Sequence, residues 1–156
     1  MKSSAILRPI HIAAAAALCL CAPIALHAQS KPGWGENQAQ ALEKAKTANK
    51  LVVLDFTGSD WCSWCKKMDT EVFSTPEFRE YAQQHLELVE VDFPHQKSLP
   101  ADLKKQNDEL QKQYGIQGFP TIVVLNADGK KVGEFEGYQE GGAKAFIDQL
   151  EKLPKS

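Results

Sequence analysis

Residues 58–67 read GSDWCSWCKK, with Cys62 and Cys65 separated by two residues and each preceded by a tryptophan, Trp61 and Trp64. Thiols at this spacing can exchange disulfides, supply half of a zinc site, or close a small structural loop. If a helix opens at Cys62, its sulfur faces the unpaired N–H groups and the positive end of the helix dipole, which favour a thiolate. Cysteines so placed have pKa values of about 3.5–7.5, against about 8.5 for a free thiol. Cys62 then reads as the nucleophile and Cys65 as the resolving thiol, with Lys66 and Lys67 adding positive charge nearby. Tetrahedral zinc needs four ligands, and His85 and His95 lie ten apart, unlike the usual histidine spacing. A disulfide between positions i and i+3 closes so short a loop that it constrains little of the unfolded chain. The redox pair is the stronger reading, with the zinc half-site and the structural staple as its alternatives.

The first residues bear on this choice. Lys2 and Arg8 precede an apolar stretch, Ile10 to Leu26, and the chain turns polar at Gln29. That order reads as a secretory leader, residues 1–28, cleaved after Ala28. An uncleaved anchor is the alternative, but the 17 residues are interrupted by His11 and Pro23, and a span needs about 20. Cleavage removes Cys19 and Cys21, leaving one tight cysteine pair, and lowers the formal charge from −2 to −4. Neither nucleic acid nor an anionic membrane is expected to bind such a chain.

The elements that must position the pair follow from patterning. With 43% hydrophobic and 24% charged residues the chain suits one globular domain. Residues 29–50 form an N-terminal segment and a surface helix with a thin alanine face. LVVLDF, Leu51–Phe56, is a strand covered on both faces. A helix opens near Cys62, with Met68, Val72 and Phe73 as core contacts, and a second begins at Ser74 or Thr75 with Pro76 in its first turn. Strands are expected over 86–93, 121–126 and 131–138, the last two joined at Ala127–Gly129, with a polar helix over 101–114 and a closing helix after Gly142. Alternation with a late hairpin predicts an α/β fold, a central mixed sheet with helices on both faces, over residues 51–156.

WCSWCK resembles the WCxxCK site of the thioredoxin superfamily, and YGIQGFPT, Tyr114–Thr121, is similar to its cis-proline loop. VVLDF before the motif and FEG, Phe135–Gly137, after the hairpin agree in order, so the resemblance covers about Leu51 to Leu150. It implies a thioredoxin fold in which Pro120 is the cis-proline facing the disulfide and Trp61, Trp64, Phe119 and Gly137 line an apolar groove. Asp55 resembles the buried acid that takes the proton of the resolving thiol. Two departures stand out. Asp55 lies seven residues before Cys62, one more than is typical, which makes Gly58 or Ser59 an insertion, and Leu88 stands where thioredoxin has a lysine facing the acid. Without that lysine, a buried Asp55 is expected to have a pKa raised further still.

The resemblance, with the leader and the second helix VFSTPEF, is to exported thioredoxin-like proteins and the extracytoplasmic domain of transmembrane disulfide reductases. It implies a periplasmic or otherwise extracytoplasmic thiol-disulfide oxidoreductase that reduces protein disulfides as a monomer. Such a protein needs no cofactor or metal beyond its cysteines and inserts in no membrane after cleavage. Its partners are proteins bearing disulfides or thiols and a membrane electron donor. An oxidase or isomerase, and a redox-poor binding or chaperone-like module, are the rival readings.

Overall fold

A computed structural model describes residues 31–155. The expected leader, residues 1–28 with Cys19 and Cys21, lies outside the described residues. The elements run α1 (Gln38–Ala48), β1 (Leu51–Thr57), α2 (Ser63–Met68), a π-helical turn (Asp69–Phe73), α3 (Pro76–His85), β2 (Leu86–Asp92), α4 (Ala101–Tyr114), β3 (Thr121–Leu125), β4 (Lys131–Glu136) and α5 (Gly142–Leu150). The four strands form one sheet in the order β2-β1-β3-β4. β1 runs parallel to β2 and antiparallel to β3, which in turn pairs antiparallel with β4. The mixed α/β sheet expected from the sequence is the one observed.

Every residue of β1 is buried, because helices cover both of its faces. Successive strand side chains point to opposite sides. Leu51 and Val53 therefore join Met68, Val72, Phe73, Phe78, Phe146 and Leu150 under α2, α3 and α5. Val52, Leu54 and Phe56 meet Ala41 and Ala45 of α1 and Leu110 of α4 on the other side. Two alanines on the inner face let α1 press close to the sheet. Asn37 caps its start by accepting the Gln40 N–H, and Asn49 ends it in the left-handed conformation.

Thr75 rather than Ser74 caps α3: the Thr75 hydroxyl accepts the Phe78 N–H, and Pro76 fills the first helical position. Between β3 and β4, Asn126 Oδ1 accepts the N–H groups of Asp128 and Lys130, and Gly129 supplies a φ of 82°. The N-terminal segment is not loose. Gly35 adds to the free edge of β2, its N–H donating to Leu88 O and its carbonyl accepting from Glu90 N. Trp34 is buried beside it, edge-on to Phe73 at 5.0 Å. No helix of the described residues is long and apolar enough to cross a membrane.

Candidate active site

β1 carries the chain to the Cys62 turn, and Cys62 caps α2. Its Sγ accepts the Cys65 N–H at 3.2 Å. The two sulfurs are bonded at 2.14 Å, with Cα atoms 5.3 Å apart, and both cysteines are buried. Lys66 and Lys67 are turned elsewhere: Lys66 Nζ donates to Asp60 O, and Lys67 pairs with Glu71 and lies 4.7 Å from the Tyr138 ring. Glu71 also accepts from the Tyr138 hydroxyl.

Trp61 and Trp64 are the large apolar side chains that remain exposed among the described residues, at 39% and 59%. Trp61 stacks on His95 at 4.4 Å, meets Phe119 edge-on at 5.9 Å and donates its indole N–H to Phe93 O. Trp64 lies 5.9 Å from Tyr138. The Phe119–Pro120 bond is cis, and Pro120 O accepts the Gly137 N–H, which joins the proline loop to the end of β4. The structure thus gathers Trp61 with Phe119, and Pro120 with Gly137, and adds His95, Phe93 and Tyr138, for which the sequence predicts only a loop or strand position.

Behind the disulfide the character changes from aromatic to charged. Asp55 is buried, and its Oδ2 accepts from Lys31 Nζ at 2.8 Å, while Oδ1 has no hydrogen-bond partner among the described residues. The lysine expected to be missing has therefore been supplied by another segment. Position 88 holds a leucine whose carbonyl anchors Gly35, and the strap that pairs there brings Lys31 to the acid instead. Lys31 Nζ also lies 3.3 Å from Asp69 and 3.5 Å from Glu90.

Burial raises the Asp55 carboxyl, Lys31 opposes that rise, and Asp69 and Asp92 add to it. Glu90 is raised for the same first reason, again opposed by Lys31. Burial alone would lower the Lys31 ammonium, but Asp55 and Glu90 outweigh it and hold it above its ordinary value. The expectation of an acid raised further for want of a cation is thus corrected: burial raises Asp55, and a lysine restrains it.

The turn before Cys62 is held firmly. Ser59 donates through both N–H and hydroxyl to the two oxygens of Asp92, and Asp60 accepts the backbone N–H groups of His95, Gln96 and Lys97. These bonds fasten the 94–100 loop beside the redox turn. Among the residues missed from sequence, Glu90 had a signal: strand alternation places it on the same side as Leu88 and Asp92, and it pairs in register with Asp55. Lys31 had none, since 24 residues of sequence separate it from its partner. No group of histidines, cysteines and acids suited to a metal occurs among the described residues.

The sequence model of a family described as "Thioredoxin-like domain" matches residues 38–154. The chain belongs to the thioredoxin-like family. Its redox pair and its relatives make this thioredoxin-like protein a thiol-disulfide oxidoreductase. It is 40% identical over 120 residues to a Chlamydia pneumoniae protein named "Disulfide bond reductase DsbH", a match covering 77% of this chain and 72% of that one. A solved structure titled "DsbH Oxidoreductase" superposes with a TM-score of 0.70 at 36% identity, covering 81% of this chain and 90% of that one. The "Thiol:disulfide interchange protein DsbD" of Photorhabdus laumondii is 31% identical over 76% of this chain, which spans only 20% of that longer protein.

Proposed function

We propose that this thioredoxin-like protein is an exported, monomeric reductant of protein disulfides that works outside the cytoplasm. The observation that carries the reading is its 40% identity, over most of both chains, with a protein named disulfide bond reductase. The positive, apolar and polar order of residues 1–29 supports export.

In the reduced protein, the Cys62 thiolate attacks one sulfur of a substrate disulfide. A Cys62–substrate bond forms, the substrate S–S bond breaks, and the leaving thiolate takes a proton. Asp55 accepts the proton of Cys65, whose thiolate then attacks Cys62 Sγ. The Cys62–Cys65 bond forms, and the substrate leaves with two electrons and two protons gained in all. A dithiol donor, such as a membrane electron carrier, must then reduce the pair again. The exposed rings of Trp61 and Trp64, together with Phe119, Pro120 and Gly137, receive an extended apolar segment of the substrate.

Equilibration with glutathione buffers tests the direction, because the potential decides which way electrons flow. A value near that of thioredoxin, about −270 mV, supports a reductant, whereas one near that of protein disulfide isomerase, about −180 mV, refutes it.

A further inference from the structure

Glu90 is a buried carboxyl that the steps above do not use. It stands opposite Asp55 in the β1–β2 register, and both acids reach the same ammonium, Lys31 Nζ, at 2.8 and 3.5 Å. The two differ in access. A cleft of about 530 Å³ opens behind the disulfide and is lined by Cys65, Glu90, Lys31, Lys66, Asp69 and Lys97, while Asp55 does not line it. A proton delivered to Asp55 therefore has no direct exit to that cleft, whereas one on Glu90 has.

We propose that Glu90 is a positioning residue for proton transfer, passing the Cys65 proton between Asp55 and the water of the cleft, with Lys31 holding the two carboxyls together. The inference rests on Asp55 acting as the base. Cys65 S–H gives its proton to Asp55, Asp55 passes it to Glu90, and Glu90 releases it to water, so charge balances with no further reactant. The groups facing the pair are Lys31 from the strap, Asp69 from the π turn, Asp92 from β2 and Lys97 from the following loop. Raised carboxyls suit the task, since a proton carrier works best near the operating pH.

The test uses the full chain with Cys19→Ser and Cys21→Ser, reduced and mixed with one equivalent of 5,5′-dithiobis(2-nitrobenzoate) across pH 5–9. The first thionitrobenzoate leaves when Cys62 attacks, and the second leaves when Cys65 displaces it. Glu90→Gln is expected to slow the second release about tenfold while leaving the first within about twofold, a loss below the full contribution of a general base. The acidic midpoint of the second release should move to lower pH, because removing the Glu90 charge eases ionisation of Asp55. Asp55→Asn with Glu90→Gln should be no slower than Asp55→Asn alone. Equal slowing of both releases, an unmoved midpoint or additive losses would overturn the proposal. If Asp55→Asn left the second release unchanged, the reading of Asp55 as base would fall first and take this inference with it.

Discussion

Replacing Lys31 by methionine tests the cation that the strap brings to the acids. The substitution keeps an unbranched side chain near the rings of Trp34 and Phe73, which lie 4.7 and 5.3 Å from Nζ, and removes only the charge and its bonds. Breaking a buried ion pair from one side costs about 3–5 kcal/mol. Lys31 keeps 20% of its side chain exposed, so the lower end, about 3 kcal/mol, is the expected loss where the acids are ionised. With a urea m-value of about 2 kcal/mol/M, the unfolding midpoint of the oxidised protein falls by about 1.5 M.

The loss must depend on pH in a fixed sense. Asp55 and Glu90 have folded pKa values raised above their ordinary ones. The stability that their protonated forms allow is fully present below the ordinary carboxylate range, and it is lost as pH rises through the raised values. Lys31 offsets that loss, and its own raised pKa keeps it charged into the alkaline range. The gap between wild type and Lys31→Met should therefore be small near pH 4 and full at pH 8. A gap equal at both pH values would show lost packing rather than lost charge, and no gap at pH 8 would refute the ion pair altogether.

Cys65→Ser should trap Cys62 in mixed disulfides visible on non-reducing gels, while Cys62→Ser should abolish insulin reduction. Gly58→Ala would place a Cβ 2.4 Å from the Trp61 ring. Displacing that ring breaks its bond to Phe93 O and its stack on His95, and a penalty of about 1–3 kcal/mol should appear mainly as a raised KM and altered tryptophan fluorescence. Trp34→Ala removes the anchor of the strap at a cost of about 3–5 kcal/mol. It should also reproduce the pH-dependent part of the Lys31→Met loss, measured by the same urea titration.

What the sequence revealed was carried by local signals. The continuous apolar run of β1, the proline after a capping threonine in α3 and the Asn-Ala-Asp-Gly turn each depend on residues within a few positions of one another, and each lies where it was expected. The π-helical turn at Asp69–Phe73 looks like plain helix in the sequence, because one added residue in a turn leaves Val72 and Phe73 buried either way. Strands 121–126 and 131–138 end earlier than expected, at Leu125 and Glu136, where the Asn126 turn and Gly137 take over. The cation of the site was illegible for a different reason. A lysine in a short polar segment announces no partner, and the empty lysine position at 88 hinted only that a cation was missing. The solution lies in an edge pairing of one glycine, Gly35, for which sequence periodicity gives no sign.

The arrangement separates two tasks that disulfide exchange must couple. Electrons move at a sulfur flanked by exposed aromatic rings, where an apolar substrate segment can exclude water. In the proposed mechanism protons move behind it, where three carboxyls share one lysine. Because both cysteines are nearly covered, the disulfide itself forms the partition between these surroundings. Changes to Trp61 or Trp64 should then act on substrate affinity and leave pH profiles in place, whereas changes to Lys31, Asp55 or Glu90 should move the pH profile of the resolving step and leave affinity in place. A variant on the charged side that altered only affinity would show that the two sides are not separate.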